Sequence, residues 1–386
     1  MWRFTLTAIV LAGVVLVVCA RQAMGEKDLL VYWSAARLLA TGGNPYDSAA
    51  LAAVQRTARA GVEDTLAAWN PPWLLVLLLP LGLLPFDVAR CMWLLANSVL
   101  IGMAALLSWR MLVQTRDWGV MLALVAGLWF GESLATMQMG QISSLLLIGL
   151  VLGSRWLASN DDRWAGAAFF LTTVKPHITY LLLLLLVLWA AHERRWRVFQ
   201  GLAAAGLFGV LVLFALRAGW AWSYLQLTGS HAFFQYSTST LGGLAYALWG
   251  TDALRFAGLL TIPLLPFLLR LALSHGFLTA ANVTLLISVP LAVYGFGFDH
   301  VVLVPAIVQM LSWIWRRQLS GSWALLVGSG LVLVYLVLFA QLVQPRILYH
   351  WRAWTPVALG LLYALAWTRR ADSAGQSAAR GQLSLE

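Results

Sequence analysis

The feature that most constrains this chain is a succession of long apolar runs separated by short gaps rich in arginine. Of the 386 residues, 61% are hydrophobic and only 10% are charged, whereas a soluble domain carries about a quarter charged residues. A helix needs roughly 20 apolar residues to cross a bilayer, and several runs approach or reach that length. The composition therefore predicts an all-α polytopic membrane protein.

Most of the apolar runs are predicted to cross the membrane as single helices. They lie near residues 4–20, 87–109, 118–136, 141–157, 198–216, 254–273, 277–296, 300–315, 322–343 and 350–367. A further block, 163–191, is interrupted at Lys175-Pro176 and is interpreted as two short spans that meet at this break. The stretch 71–85 is short and contains two prolines, so we expect a helix at the outer interface. About twelve spans result.

The basic gaps set the expected orientation, because short loops rich in Arg and Lys remain in the cytoplasm. These gaps contain Arg110 and Arg116, Arg155 and Arg163, Arg194, Arg195 and Arg197, Arg316-Arg317, and Arg369-Arg370. Residues 1–368 then form one domain in the inner (plasma) membrane, with both termini cytoplasmic and 369–386 as a disordered tail. Two large outer loops span residues 21–86 and 217–253. The net charge of +10 is assigned to topology signals and not to nucleic-acid binding.

The N-terminal run has a basic start and is either a cleaved signal peptide or an uncleaved first span. Its length and the lack of a small-x-small cleavage site favour the span. In the first outer loop, residues 28–40 have helix-forming character that ends at Gly42-Gly43. Asp47 or Ser48 can cap a second helix that runs to Gly61.

In this topology the costly polar residues fall on the outer side of the membrane, where such residues usually line a cavity. They are Asp28, Tyr32, Glu132, Gln138, Gln141, Lys175, His177, Asp299, His300, Arg346, Tyr349 and His350. Lys175 is one of two lysines against 23 arginines. It is either a point charge for a phosphate or an interfacial lysine that reaches water. Asp28 could equally cap a helix, and Asp299-His300 could be a plain polar break between spans.

No zinc spacing, phosphate-binding glycine loop or nucleophile elbow is present, and Cys19 and Cys91 have no partner spacing. We therefore expect neither a metal nor a cofactor. The chemistry that these residues favour combines a carboxylate base with a cationic phosphate clamp.

Five segments occur in order along most of the chain: DLLVYWSAARLLATGGNPYD (28–47), WNPPWLLVLLLPLGLLP (69–85), GQISSLLLIGLVL (140–152), VKPH (174–177) and FDHVVLV (298–304). Together they resemble glycosyltransferase family 87, a branch of the GT-C superfamily. The resemblance implies a helical bundle with an outward-facing cavity beneath interfacial helices. It also implies inverting transfer of a hexose, most commonly mannose, from a polyprenyl-phosphate-sugar donor to a lipid or glycan acceptor.

The resemblance assigns roles to individual residues. Asp28 matches the general base and Lys175 the residue that holds the donor phosphate. His300 and Arg346 are further candidates for the phosphate, and the expected substrate-binding residues are Tyr32, Tyr46, Asn70, Gln141, His177 and Asp299. Two positions depart from the family pattern: Val301 replaces the second of two histidines, and Asn70 stands where members often have Tyr.

Other functions fit parts of the sequence. A transporter or flippase of lipid-linked substrates would also have about twelve spans with charges inside the membrane, although such proteins tend to repeat their two halves. A scaffold subunit of an envelope complex is a third interpretation. Among enzymes, a ligase of the O-antigen type is the nearest alternative.

Overall fold

Helices joined by turns make up this protein. The computed structural model describes residues 27–59, 66–114, 117–229, 238–343 and 349–383, and these residues contain no strand. The predicted first span, 4–20, lies outside the described residues, as does Arg346.

The described α-helices are numbered here in chain order. They are α1 Lys27–Ala40, α2 Ser48–Ala58, α3 Trp73–Gly82, α4 Phe86–Val113, α5 Gly119–Leu128, α6 Gly131–Met139, α7 Ser143–Ala158, α8 Asp162–Phe170, α9 Pro176–His192, α10 Trp196–Leu216, α11 Trp220–Gly229, α12 Leu241–Trp249, α13 Leu265–His275, α14 Phe277–Ser288, α15 Val304–Trp315, α16 Gly321–Val343 and α17 Trp354–Leu383. Segments of 3₁₀ helix lie at Leu171–Val174, Ala253–Leu264, Gly297–Leu303 and Tyr349–Ala353.

Among the described residues, five helical stretches are long and apolar enough to cross a membrane, or six if α5 and α6 count as one span bent by 50°. The predicted all-α, multi-pass character is therefore confirmed. The count of about twelve spans is not, because several expected spans are shorter or broken helices. The one expected over 277–296 is helical only to Ser288, two residues before Pro290, which has no N–H group to continue the hydrogen bonds of the helix.

The break at Lys175-Pro176 is found as the sequence predicted. Helix α8 passes into the 3₁₀ turn Leu171–Val174, and α9 begins at Pro176. Proline lacks an N–H group and is well accommodated in the first turn of a helix, so it starts α9 and ends the helix before it. The side chain of Lys175 is thereby placed at a junction between two helices.

The helical stretches differ in how far neighbouring helices enclose them. In Gly297–Trp315, 89% of the most apolar 18-residue stretch is buried inside the protein. The corresponding share is 22% in both Trp196–Leu216 and Gly321–Leu342. Apolar side chains that remain exposed on the latter two face the lipid in a membrane protein. The stretch Gly297–Trp315 therefore lies at the centre of the bundle.

Helices α1 to α3 form where the sequence predicted helices in the first outer loop. Asp47 caps α2, since its Oδ1 accepts hydrogen bonds from Ala49 N at 2.9 Å and Ala50 N at 3.0 Å. Helix α1 is held beside α3 by Trp33, whose Nε1 donates to the carbonyl oxygen of Leu84 at 3.0 Å. These contacts fix the position of α1 and of the acidic residue, Asp28, in its first turn.

Helix α17 continues to Leu383, into the segment 369–386 that the sequence indicated to be a disordered tail. The segment Ala371–Leu383 contains several alanines and no proline, and alanine has the highest helix propensity. The polar composition that suggested disorder is therefore compatible with a continued helix.

Two glycines allow α8 and α10 to meet backbone against backbone. A Cβ atom on Gly166 would lie 1.9 Å from the carbonyl oxygen of Val198, and one on Gly201 would lie 1.9 Å from that of Arg163. Close approach at small residues is a common way for helices to associate in membranes, where dispersion contacts and not water exclusion drive packing. This contact fixes α10 against the helix that leads to Lys175.

We predict that Gly201→Ala lowers the free energy of unfolding by about 1–3 kcal/mol, because the methyl group must push two backbones apart. The matched control is Gly360→Ala in α17, where no atom lies within 4 Å of the added Cβ; there alanine should be neutral or stabilise by up to about 1 kcal/mol. Thermal midpoints of the purified variants in detergent provide the measurement. Equal midpoints for the two variants would contradict the packing described.

Candidate active site

Polar side chains from four separate parts of the chain converge at helix ends. Asp28 lies in the first turn of α1, Gln141 between α6 and α7, Lys175 just before α9, and Asp299 in the 3₁₀ segment that leads into α15. Helix ends leave backbone groups without intrahelical partners, so polar side chains are least costly there. Hydrogen bonds between these distant residues join all four.

Lys175 is surrounded by acceptors. Its Nζ lies 2.6 Å from Asp299 Oδ1, 2.9 Å from Gln141 Oε1 and 3.1 Å from Ser143 Oγ. The ring of Phe298 covers the ammonium, with its centroid 4.8 Å from Nζ. An ammonium has three N–H groups, so each finds an acceptor within the protein. The residue is only 5% exposed, which rules out the interfacial lysine that reaches water.

Asp299 is the anionic partner of Lys175 and is 1% exposed. Its Oδ1 also accepts a hydrogen bond from Ser143 Oγ at 2.6 Å, and its Oδ2 accepts one from the backbone N–H of Phe296 at 3.0 Å. A buried ion pair persists only when its geometry is good and its remaining polar atoms are satisfied. Both conditions hold here, so Asp299 is an integral part of the site and not a plain polar break between spans.

Gln141 connects the ion pair to Asp28. Its Nε2 donates to Asp28 Oδ2 at 2.7 Å, while its Oε1 accepts from Lys175 and, at 3.1 Å, from the hydroxyl of Tyr32. Burial, together with the nearby charges of Asp28 and Asp299, raises the pKa of Tyr32 well above its ordinary value, so this hydroxyl remains protonated. Asp28 is half-buried, and one amide side chain therefore joins an accessible carboxylate to a buried cation.

A second charged cluster lies beside the first. Glu132 is fully buried, and its Oε2 accepts from Arg352 Nη1 at 2.7 Å. His300 Nδ1 is 3.4 Å from Glu132 Oε1, a separation longer than an ordinary hydrogen bond. Thr136, one turn after Glu132, donates to the carbonyl oxygen of Phe298 at 2.9 Å. His300 thus lies against Glu132, and among the described residues no hydrogen bond joins it to Lys175.

The remaining predicted site residues lie at the edge of the Lys175 cluster or away from it. Asn70 Nδ2 donates to the carbonyl oxygen of Val174 at 3.3 Å, one residue before Lys175. His177 packs its ring against Tyr294, with centroids 5.6 Å apart. Both are half-buried, and they border the cluster without a hydrogen bond to its charged groups among the described residues.

Tyr46 lies in a separate aromatic contact, with its ring centroid 5.4 Å from that of Tyr224 in α11. This contact joins the segment between α1 and α2 to α11, and among the described residues Tyr46 has no hydrogen bond to Lys175 or Asp28. Burial raises the pKa of the Tyr46 hydroxyl, so it remains protonated at neutral pH.

The sequence did not single out Ser143 or Arg352. Ser143 lies in the segment GQISS, two residues after Gln141, so its proximity to that residue was available from the motif. Arg352 had no such signal, because its partner Glu132 is 220 residues away. Glu132 itself was recognisable as a carboxylate in an apolar stretch, although no role could be assigned to it.

This arrangement has the parts for a displacement reaction. The half-buried carboxylate of Asp28 can accept a proton, and the cations nearby can stabilise negative charge on a leaving group. Low dielectric surroundings strengthen such interactions. The site is thus suited to group transfer in which a hydroxyl attacks and an anion departs.

Two known proteins are similar to this chain, one over part of its sequence and one distantly in its fold. Part of the chain, 119 residues, is 37% identical to an α-(1→3)-arabinofuranosyltransferase of Mycolicibacterium smegmatis; the match covers 30% of this chain and 28% of that protein, so the chain spans less than a third of this relative. The crystal structure of ArnT from Cupriavidus metallidurans bound to undecaprenyl phosphate superposes with a TM-score of 0.40 and 15% identity, covering 97% of this chain and 78% of that one.

The family model of glycosyltransferase family 87 matches residues 69–345, well over half of the chain. This match confirms the family that the five sequence segments indicated, and it favours a transferase over a transporter, a flippase or a scaffold. The chain belongs to glycosyltransferase family 87.

Proposed function

We propose that this protein transfers a sugar from a polyprenyl-phosphate-sugar donor to a hydroxyl of a lipid or glycan acceptor, with inversion at the anomeric carbon. The observation that carries the proposal is the connection of Asp28 through Gln141 to Lys175. A proton acceptor and a cation held by one side chain are what a hydroxyl nucleophile and a phosphate leaving group require.

The proposed reaction is a single displacement. Asp28 accepts the proton of the acceptor hydroxyl while its oxygen bonds to the anomeric carbon of the donor sugar. The bond between that carbon and the phosphate oxygen breaks, and its electron pair leaves with the polyprenyl phosphate. Inversion follows from one displacement, which needs one carboxylate, whereas retention by double displacement needs a second at the same carbon.

Lys175 is proposed to provide positive charge for the donor phosphate. Because its three N–H groups already have acceptors, a phosphate oxygen would have to replace one of them. Gln141 and Ser143 are neutral acceptors and are easier to replace than the carboxylate of Asp299, since the ion pair adds a Coulomb attraction that is strong in a low dielectric. His300 and Arg346 remain proposed contributors, and Tyr32, Tyr46, Asn70 and His177 are proposed to contact substrate.

The donor class and the site's location are part of the same proposal. A polyprenyl donor lies in the bilayer, which suits a site formed at helix breaks between apolar spans. We propose that this site faces the outside of the plasma membrane, because the arginine-rich gaps lie at the opposite ends of the helices that carry it. Mannose is the proposed sugar, and the partial match to an arabinofuranosyltransferase makes arabinofuranose the first alternative.

Asp28→Asn tests the proposed base. The amide oxygen of Asn can still accept the hydrogen bond of Gln141, but it cannot take a proton, so transfer should fall by about 10²–10⁴-fold. The thermal midpoint should change little, because Asn also tolerates the start of a helix. Turnover and midpoint are measured together on the Asn and Ala variants. If Asp28 serves only the helix, Asn will retain activity and Ala alone will lose stability.

Lys175→Ala is expected to impair donor use far more than Lys175→Arg, which keeps the charge. It should also destabilise the protein by about 3–5 kcal/mol, because Asp299 would remain buried without a partner. The double variant Lys175→Met with Asp299→Asn separates the two effects, since it removes both charges. The Asn amide oxygen can still accept from the N–H of Phe296, and its amide N–H can donate to the hydroxyl of Ser143. It should recover much of the thermal midpoint and still show a donor KM at least about tenfold higher. A wild-type donor KM in the double variant would exclude Lys175 as the source of charge.

A further inference from the structure

Arg352 is the cation of this region whose hydrogen-bonding capacity is least used. A guanidinium has five N–H groups, and among the described residues Arg352 donates one hydrogen bond, to Glu132 Oε2 at 2.7 Å. Its side chain is 13% exposed, whereas that of Glu132 is fully buried. Lys175 presents the opposite case, because all three of its N–H groups have acceptors.

Arg352 lies directly against the turn that carries Asp299. A Cβ atom on Gly297 would be 2.7 Å from Arg352 Cδ and 3.1 Å from its Nη1, so only glycine leaves room for the guanidinium there. Lys175 contacts the same turn, through the ring of Phe298 and the carboxylate of Asp299. The two cations therefore flank three consecutive residues, 297 to 299.

The guanidinium is held from the other side by Glu132. A Cβ on Gly297 would also be 2.7 Å from Glu132 Oε2, so carboxylate, guanidinium and turn are in mutual contact. Thr355 Oγ1, at 3.5 Å from Glu132 Oε1, is a weak further contact. An arginine fixed in this way has a planar fork of donors that matches two phosphate oxygens at once.

We propose that Arg352, positioned by Glu132, binds the phosphate of the lipid donor directly, as a second cation beside Lys175. The inference rests on the proposed function, because it assigns a residue to the phosphate of that donor. Lys175 then supplies charge while it stays paired with Asp299, and Arg352 supplies a planar fork of further hydrogen bonds. Glu132 is a positioning residue and does not touch the donor.

The test compares binding of undecaprenyl phosphate and of undecaprenol, the same lipid without the phosphate, to full-length protein in nanodiscs. Arg352→Gln alone would leave Glu132 buried and unpaired, so the main variant is the neutral pair Arg352→Gln with Glu132→Gln. Its matched control is Arg195→Gln with Asp162→Asn, which removes a partly buried ion pair near the far end of α9. Thermal midpoints over a lipid titration give the affinities, since a ligand that binds only the folded state raises the midpoint with its concentration.

We expect the neutral pair to bind undecaprenyl phosphate about 10- to 100-fold more weakly than the wild type, with undecaprenol binding unchanged. Arg352→Lys should lie in between, because it keeps the charge without the fork. The control pair should bind both lipids as the wild type does. The neutral pair could keep the wild-type preference for the phosphate while the Lys175→Met/Asp299→Asn protein loses it. That result would overturn the role of Arg352 and leave the donor class intact. A wild-type protein that binds both lipids equally would overturn the donor class itself.

Discussion

The buried ion pair of Lys175 and Asp299 is the interaction on which the rest of the site depends. Neither charge could remain in an apolar interior without the other, because desolvation costs several kcal/mol for each ion. The pair holds the junction before α9 to the turn before α15, and Gln141 and Ser143 complete its hydrogen bonds. The helices therefore break where these residues lie. At these breaks, backbone polar groups and charged side chains can face each other inside the protein.

Around this pair the site has two charged centres that share one turn. Lys175 and Asp299 form the first, and Arg352 and Glu132 form the second. Each cation has its own carboxylate, so none of these four charges is left uncompensated. In the proposed function, Glu132 holds the guanidinium of Arg352 in place before a phosphate binds, and donors oriented in advance avoid the cost of reorganisation during a reaction. Asp28, in the first turn of α1, is linked to the first centre through Gln141.

The sequence was informative wherever a single residue carried a large physical cost. Pro176 cannot continue a helix and Lys175 is costly in lipid, so both the break and its importance were predictable from neighbouring residues. The cap of α2 by Asp47 was predictable for the same local reason. Pairings between distant residues could not be predicted. Nothing in the sequence indicates that Glu132 pairs with Arg352, or that His300 lies beside Glu132 and not beside Lys175. Hydropathy could not predict the number of spans either, because broken and shortened helices in the bundle have the same apolar composition as full spans.

The central claim is that this cluster transfers a sugar from a lipid phosphate. The most direct measurement is transfer by the purified protein from radiolabelled polyprenyl-phosphate sugars, including mannose and arabinofuranose, into extracted membrane lipids and glycans. We predict a labelled product with one of these donors, reduced by about 10²–10⁴-fold in the Asp28→Asn protein and unaffected by a chelator. Transfer only from a nucleotide sugar, or an Asp28→Asn protein that works at the wild-type rate, would contradict it.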